Sequence, residues 1–221
     1  MTGSPRPEAP VTMLLRLAML LLPLLAAGCL SPSQQEAIRV QRAIGQAVDA
    51  SDTCLAPLRS RPDYQGLYAR LAIEPSIPPP EPTGRQLADD GLADRAAAQV
   101  MVALHGDLAV CRGPLIDSIG RIAPDMAETA VDIWLRGDRL VLALMRQQVT
   151  WGEANRQIGA LQAEYYRRLA DVITATRRRI DAAVSGSAVA FEALPHAVIS
   201  FPAELAEIHR QMVVELARMP G

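Results

Sequence analysis

The chain has 221 residues, half of them hydrophobic, and a formal charge of −2. That length and apolar content suit one domain with a sizeable core, and the slightly acidic balance lacks the basic footprint that nucleic-acid binding requires, so no nucleic-acid partner is expected. All 22 basic residues are arginine, which excludes Schiff-base chemistry and a lysine general base.

The first element in chain order is Met13 to Cys29, MLLRLAMLLLPLLAAGC. Arg16 supplies a charged n-region, Leu17 to Leu25 an apolar core, and Ala26, Ala27 and Gly28 the small residues before a cut, as in an export signal. The run is shorter than the roughly 20 apolar residues a spanning helix needs. Leu25-Ala26-Ala27-Gly28-Cys29 resembles the lipobox of prokaryotic membrane lipoproteins, the site read by signal peptidase II. The resemblance covers the leader alone. It implies a signal peptide over 1–28, diacylation of Cys29, and a mature lipid-anchored domain over 29–221. Leu30 stands where an Asp commonly signals inner-membrane retention, so the resemblance implies an outer-membrane anchor facing the periplasm. Residues 1–12 carry Pro5, Pro7, Pro10 and Glu8, which are foreign to an n-region, and translation is expected to start at Met13.

Beyond the leader the helical period takes over. Ser33 to Glu36 fits a capping box ahead of a stripe at Val40, Ile44, Ala47, Val48 and Leu55, a helix that should end near Ala56-Pro57. A short helix is expected from Pro62 to about Ile73, with Pro62 in the first turn. Residues 74–84 hold five prolines, which remove donors and fix φ, and read as an extended linker. A third helix should start near Arg85, or after Asp90. Its stripe is Ala97, Val100, Met101, Leu104, Leu108 and Cys111, and Gly113-Pro114 should end it. A brief helix over 115–122 follows.

From Asp125 to about Val149 the chain is apolar over most of a helix circumference. Only Glu128, Asp132, Arg136 and Arg139 form a polar stripe, so this helix should be the centre of the core, with Gly137-Asp138 as a kink. Thr150-x-x-Glu153 fits a second capping box and opens a helix to about Val184. Ser185-Gly186-Ser187 reads as a hinge-like break. Ser200 and Pro202 should open a C-terminal amphipathic helix over 202–218, striped by Leu205, Ile208, Met212, Val213 and Leu216, which either packs on the bundle or detaches to bind a partner. No segment shows strand period. The expected fold is all-α, a helical bundle of about five main helices with short connections between antiparallel neighbours.

With Cys29 assigned to lipid, Cys54 and Cys111 remain. Both fall on apolar faces near expected helix C-termini, and an exported chain sits where disulfides persist. One bridge is expected, stapling the first helix across the linker by parallel docking of those ends.

Linear motifs for catalysis are missing from the sequence. His105, His196 and His209 are scattered and fit no metal-ligand spacing, and no Gly-x-Ser-x-Gly elbow occurs. No catalytic residue, metal or cofactor is expected. The weak candidates for a polar site are Glu128, Asp132 and Arg136, as a row on one helix, and His105. Asp89, Asp90 and Asp94 fit charges at a helix start. The reading is a non-enzymatic accessory module of the cell envelope, held to the membrane by its N-terminal lipid and acting through an envelope protein partner. A small-molecule or lipid carrier with a pocket between helices is the alternative, and an envelope enzyme without a linear motif is the third.

Overall fold

The computed structural model describes residues 32–76, 79–184 and 196–220. The leader, Cys29 and the 185–187 break lie outside the described residues, and so do the side chains of Ser33 and Glu36. Seven helices and no strand occur among the described residues: α1 Pro32–Arg59, α2 Pro62–Tyr68, α3 Gly84–Leu87, α4 Arg95–Gly120, α5 Pro124–Met145, α6 Trp151–Val184 and α7 His196–Arg218. The all-α bundle is therefore the fold, with five long helices as its frame.

Cross-helix contacts fix the directions. Cys54 bonds to Cys111, while Arg61 further on reaches back to Asp107, so α1 and α4 run antiparallel. Arg112 meets Asp138 across α4 and α5, and Arg136 and Arg168 meet Glu164 and Asp132 across α5 and α6. The two α5–α6 pairs descend one helix as they climb the other, and only residues 121–123 separate α4 from α5, which therefore turn back on each other. Helix α7 lies against α4 and α5, with Arg95 reaching the Leu216 carbonyl and Arg146 reaching Glu215. The start of α1, the end of α4, the start of α5 and the end of α6 thus share one end of the bundle.

Burial decided several helix boundaries against local signals. Helix α4 runs through Gly113-Pro114 to Gly120. Proline there forfeits one backbone bond and costs about 3 kcal/mol, but Leu115, Ile116 and Ile119 continue the buried face, and their burial, at about 1.5–3 kcal/mol each, outweighs it. The expected separate helix over 115–122 is therefore part of α4. Helix α1 likewise passes Pro57 to reach Arg59. Helix α5 passes Gly137-Asp138 without interruption and stops at Met145, where Gln147 takes a positive φ of 57°. The second helix is shorter than expected, ending at Tyr68, although Leu71 and Ala72 are buried just beyond it. Helix α7 begins at His196, and Pro202 lies inside it instead of at its first turn.

Helix α4 opens at Arg95, later than the expected Arg85 or Asp90, because Asp94 supplies the cap, while the signals at Thr150 and Pro124 hold. Asp94 caps α4 through the Ala97 amide at 2.7 Å, Thr83 and Gln86 form a capping box on α3, and the Thr150 hydroxyl accepts from the Glu153 amide. Pro124 opens α5. Phe201, Leu205, Ile208 and Met212 of α7 are buried in the common core, so this helix packs on the bundle.

The proline-rich segment, expected as an extended linker, lies as a strap on the protein. The Pro75 carbonyl accepts from Arg59, the Pro80 carbonyl accepts from Gln162, and Pro82 lies against Gly159 of α6. Proline cannot donate to secondary structure, but its carbonyls still accept, and arginine and glutamine side chains take them.

Candidate functional site

Two buried polar networks stand out. The first ties the strap and the 70–94 loops to α6. Asn155 is fully buried. Its Oδ1 accepts from the Ala72 amide at 2.9 Å, and its Nδ2 donates to the carbonyls of Arg70, Gln86 and Trp151 at 2.8, 3.1 and 2.9 Å. Every polar atom of the side chain is satisfied, and so are the Ala72 amide and the Arg70 carbonyl, which lie outside any helix. Around it, Gln86 donates to the Tyr68 carbonyl and the Trp151 indole to the Leu92 carbonyl. Arg70 pairs with Asp89 and lies over the Trp151 ring, 4.2 Å from its centroid. Gly152 is required here, because a Cβ would sit 2.6 Å from the Leu87 carbonyl oxygen and 2.9 Å from that of Asp89. Arginine bonding and the Gly91 amide hold the Asp89 carboxyl below its usual range against partial burial. Asp89 is thereby an ion-pair partner, and Asp94 a helix cap.

The second network lies where α4, α5 and α7 meet. Asp138 is 5% exposed. Arg112 donates to both its oxygens at 2.9 and 2.8 Å. His105, 4% exposed, turns its Nε2 toward Asp138 Oδ2 at 3.5 Å, and that nitrogen has no closer partner. Its Nδ1 faces Nδ1 of His209 at 3.2 Å, with the two rings stacked 24° apart. Trp134 roofs the cluster, its ring meeting the Arg112 guanidinium at 5.3 Å and Phe201 at 6.1 Å. Gly106 leaves room for the His209 ring, whose Cε1 would lie 3.4 Å from an added Cβ. Burial opposes the charge on Asp138, yet Arg112 first and His105 second hold its carboxyl below the usual range. Burial pushes the His209 imidazole below its ordinary value, and the neighbouring His105 adds to the effect. Chemically, this is a carboxylate that orients one imidazole, which in turn orients a second.

The structure separates the candidates that the sequence grouped. Asp132 and Arg136 belong to the α5–α6 seam: Arg136 binds Glu164 at 2.7 and 2.9 Å, and Asp132 receives Arg168. Glu128 is exposed on α5. His105 is away from that row, and its partners Arg112, Asp138 and His209 escaped sequence reasoning. Asp138 carried one signal, a carboxylate inside a helix apolar almost all round. His105 and Arg112, seven residues apart, share a face of α4.

Cys54 and Cys111 form the expected disulfide, with Cα atoms 5.7 Å apart. It joins the end of α1 to the middle of an antiparallel α4, not two parallel helix ends, because α4 continues nine residues past Cys111. No group of three or more His, Cys, Asp or Glu side chains is placed to hold a metal among the described residues, and no helix among them is long and apolar enough to cross a membrane. An open groove of about 810 Å³ lies between the strap and α6, lined by Pro79, Pro82, Leu87, Gly159 and Tyr166 among others. Compared with protein-family models, curated proteins and solved structures, the chain matches none.

Proposed function

We propose that this chain is a non-enzymatic accessory module of the cell envelope, anchored through lipid on Cys29 and acting through a protein partner. The observation that carries the reading is a thinly covered apolar seam along α1 and α6. Ile38, Tyr166 and Ile173 are 36%, 45% and 53% exposed, while Val40, Ile44, Leu169 and Val172 are only half-buried. Leu92, Val110, Ile199, Val213 and Val214 are exposed elsewhere on the bundle, but exposed apolar side chains on two helices that pack together are what a docking face requires. Helix α1 begins at Pro32, three residues after Cys29, so a lipid there would sit within about 11 Å of the bundle, at no more than about 3.6 Å per residue. The seam would then lie beside the membrane, within reach of other envelope proteins.

In-cell crosslinking of the full chain, detergent extraction and mass spectrometry of proteins and small molecules test this. A stoichiometric envelope protein that is lost in Cys29→Ser and in Ile173→Arg supports the reading. Recovery of the chain alone argues against it. A copurified lipid or metabolite seated in the groove beside the strap would favour the carrier instead. Mass spectrometry of the N-terminal peptide checks the anchor, which should begin at a diacylated Cys29.

A further inference from the structure

We propose that His105 and His209 form a pH-sensitive latch, which holds α7 on the bundle near neutrality and releases it when both rings are protonated. The inference stands on geometry and does not depend on the partner reading. Two ring nitrogens 3.2 Å apart share one proton: one donates and the other accepts. The Asp138 carboxylate only accepts, so the His105 nitrogen turned toward it, Nε2, is the protonated one. His105 Nδ1 is then the acceptor and His209 Nδ1 the donor. One additional proton fits this arrangement, because an imidazolium can still donate to a neutral ring. A second does not fit. Both Nδ1 atoms then carry hydrogen, the contact has no acceptor, and two cations lie stacked with ring centroids 5.3 Å apart.

The surroundings offer no relief. Arg112 on α4 already neutralises Asp138 on α5, and among the described residues no other anion is paired with either ring. The other charged groups along the α7 interface are Arg139–Glu204, Arg146–Glu215, and Arg95 bonded to the Leu216 and Met219 carbonyls. Burial of His209 and its neighbour His105 depress its affinity for protons. A base harder to protonate when docked favours docking above the ordinary imidazole value of about 6.5, and docking weakens as pH falls below it, by up to about tenfold per pH unit per proton taken up. Release would uncover Phe201, Leu205, Ile208 and Met212.

Amide hydrogen exchange of the full chain, corrected for the intrinsic effect of pH, tests the latch. From about pH 7.5 to about pH 5, protection over residues 199–220 should fall about tenfold or more, while protection over 151–165 holds. In His209→Gln the amide can donate or accept, so the loss should vanish. Unchanged protection in the wild type, equal loss throughout the bundle, or the same loss in His209→Gln would overturn the proposal. If that variant does not fold, nitrogen-15 spectra of the wild-type rings decide. Near neutrality they should show hydrogen on Nε2 of His105 and on Nδ1 of His209, and the reverse tautomers would defeat the argument.

Discussion

The two buried networks solve one problem with different chemistry. Asn155 is neutral, fully satisfied, and bonded mainly to backbone. The Asp138 cluster is charged, bonded through side chains, and leaves His105 Nε2 at a long 3.5 Å. The first therefore holds loop to helix at any pH at which the protein folds. The second holds helix to helix only in certain protonation states. A neutral amide makes a permanent tie, and a chain of titratable groups makes a conditional one.

The largest expected effect is at Asp138. Asp138→Ala leaves Arg112 and His105 buried without their anion and should cost about 3–5 kcal/mol in urea unfolding. Asn155→Ala strands the Ala72 amide and the Arg70 carbonyl, at about 3 kcal/mol. The comparison predicts that its cost is the same at about pH 7.5 and about pH 5.5, since no partner titrates between them. A cost that varied with pH would erase the distinction between the networks. Gly152→Ala forces the Leu87 and Asp89 carbonyls away and should cost about 2 kcal/mol, again independent of pH. Wild-type stability should fall as pH drops below the ordinary imidazole value, with the same fall in Asn155→Ala and none in His209→Gln, read from urea midpoints. The smallest effect is Glu204→Ala at the exposed rim of α7, below about 0.5 kcal/mol.

Much of the frame was legible along the chain. The 3.6-residue stripe placed most core-facing residues of α4, α5 and α7, Val213 at 45% exposed being an exception, and Thr150 and Pro124 located the starts of α6 and α5, whereas the start of α4 was placed near Arg85 or Asp90 instead of after Asp94. The disulfide followed from two cysteines on apolar faces. The prolines misled where they were read alone. Pro114, Pro57 and Pro202 sit inside helices because the opposite faces are buried, and a linear reading weighs the lost bond without the gained contacts. The row Glu128, Asp132 and Arg136 has true helical spacing, but it marks the α5–α6 seam and its ion pairs.

The sequence alone determined where the long helices lie and which side of each is apolar, because both depend on neighbours within one or two turns, while burial set where several of them end. Asn155 is the single asparagine of the chain, which the sequence shows without its use. Only the tertiary structure decided that Asn155 meets the strap, that Asp138 meets Arg112 and His105, and that His209 arrives from the last helix to face them. Helical period assigns a side chain to a face and says nothing of which helix that face will meet. Polar partners 26 or 104 residues apart, such as Arg112–Asp138 and His105–His209, are chosen by helix packing and its direction, after the local rules have been spent.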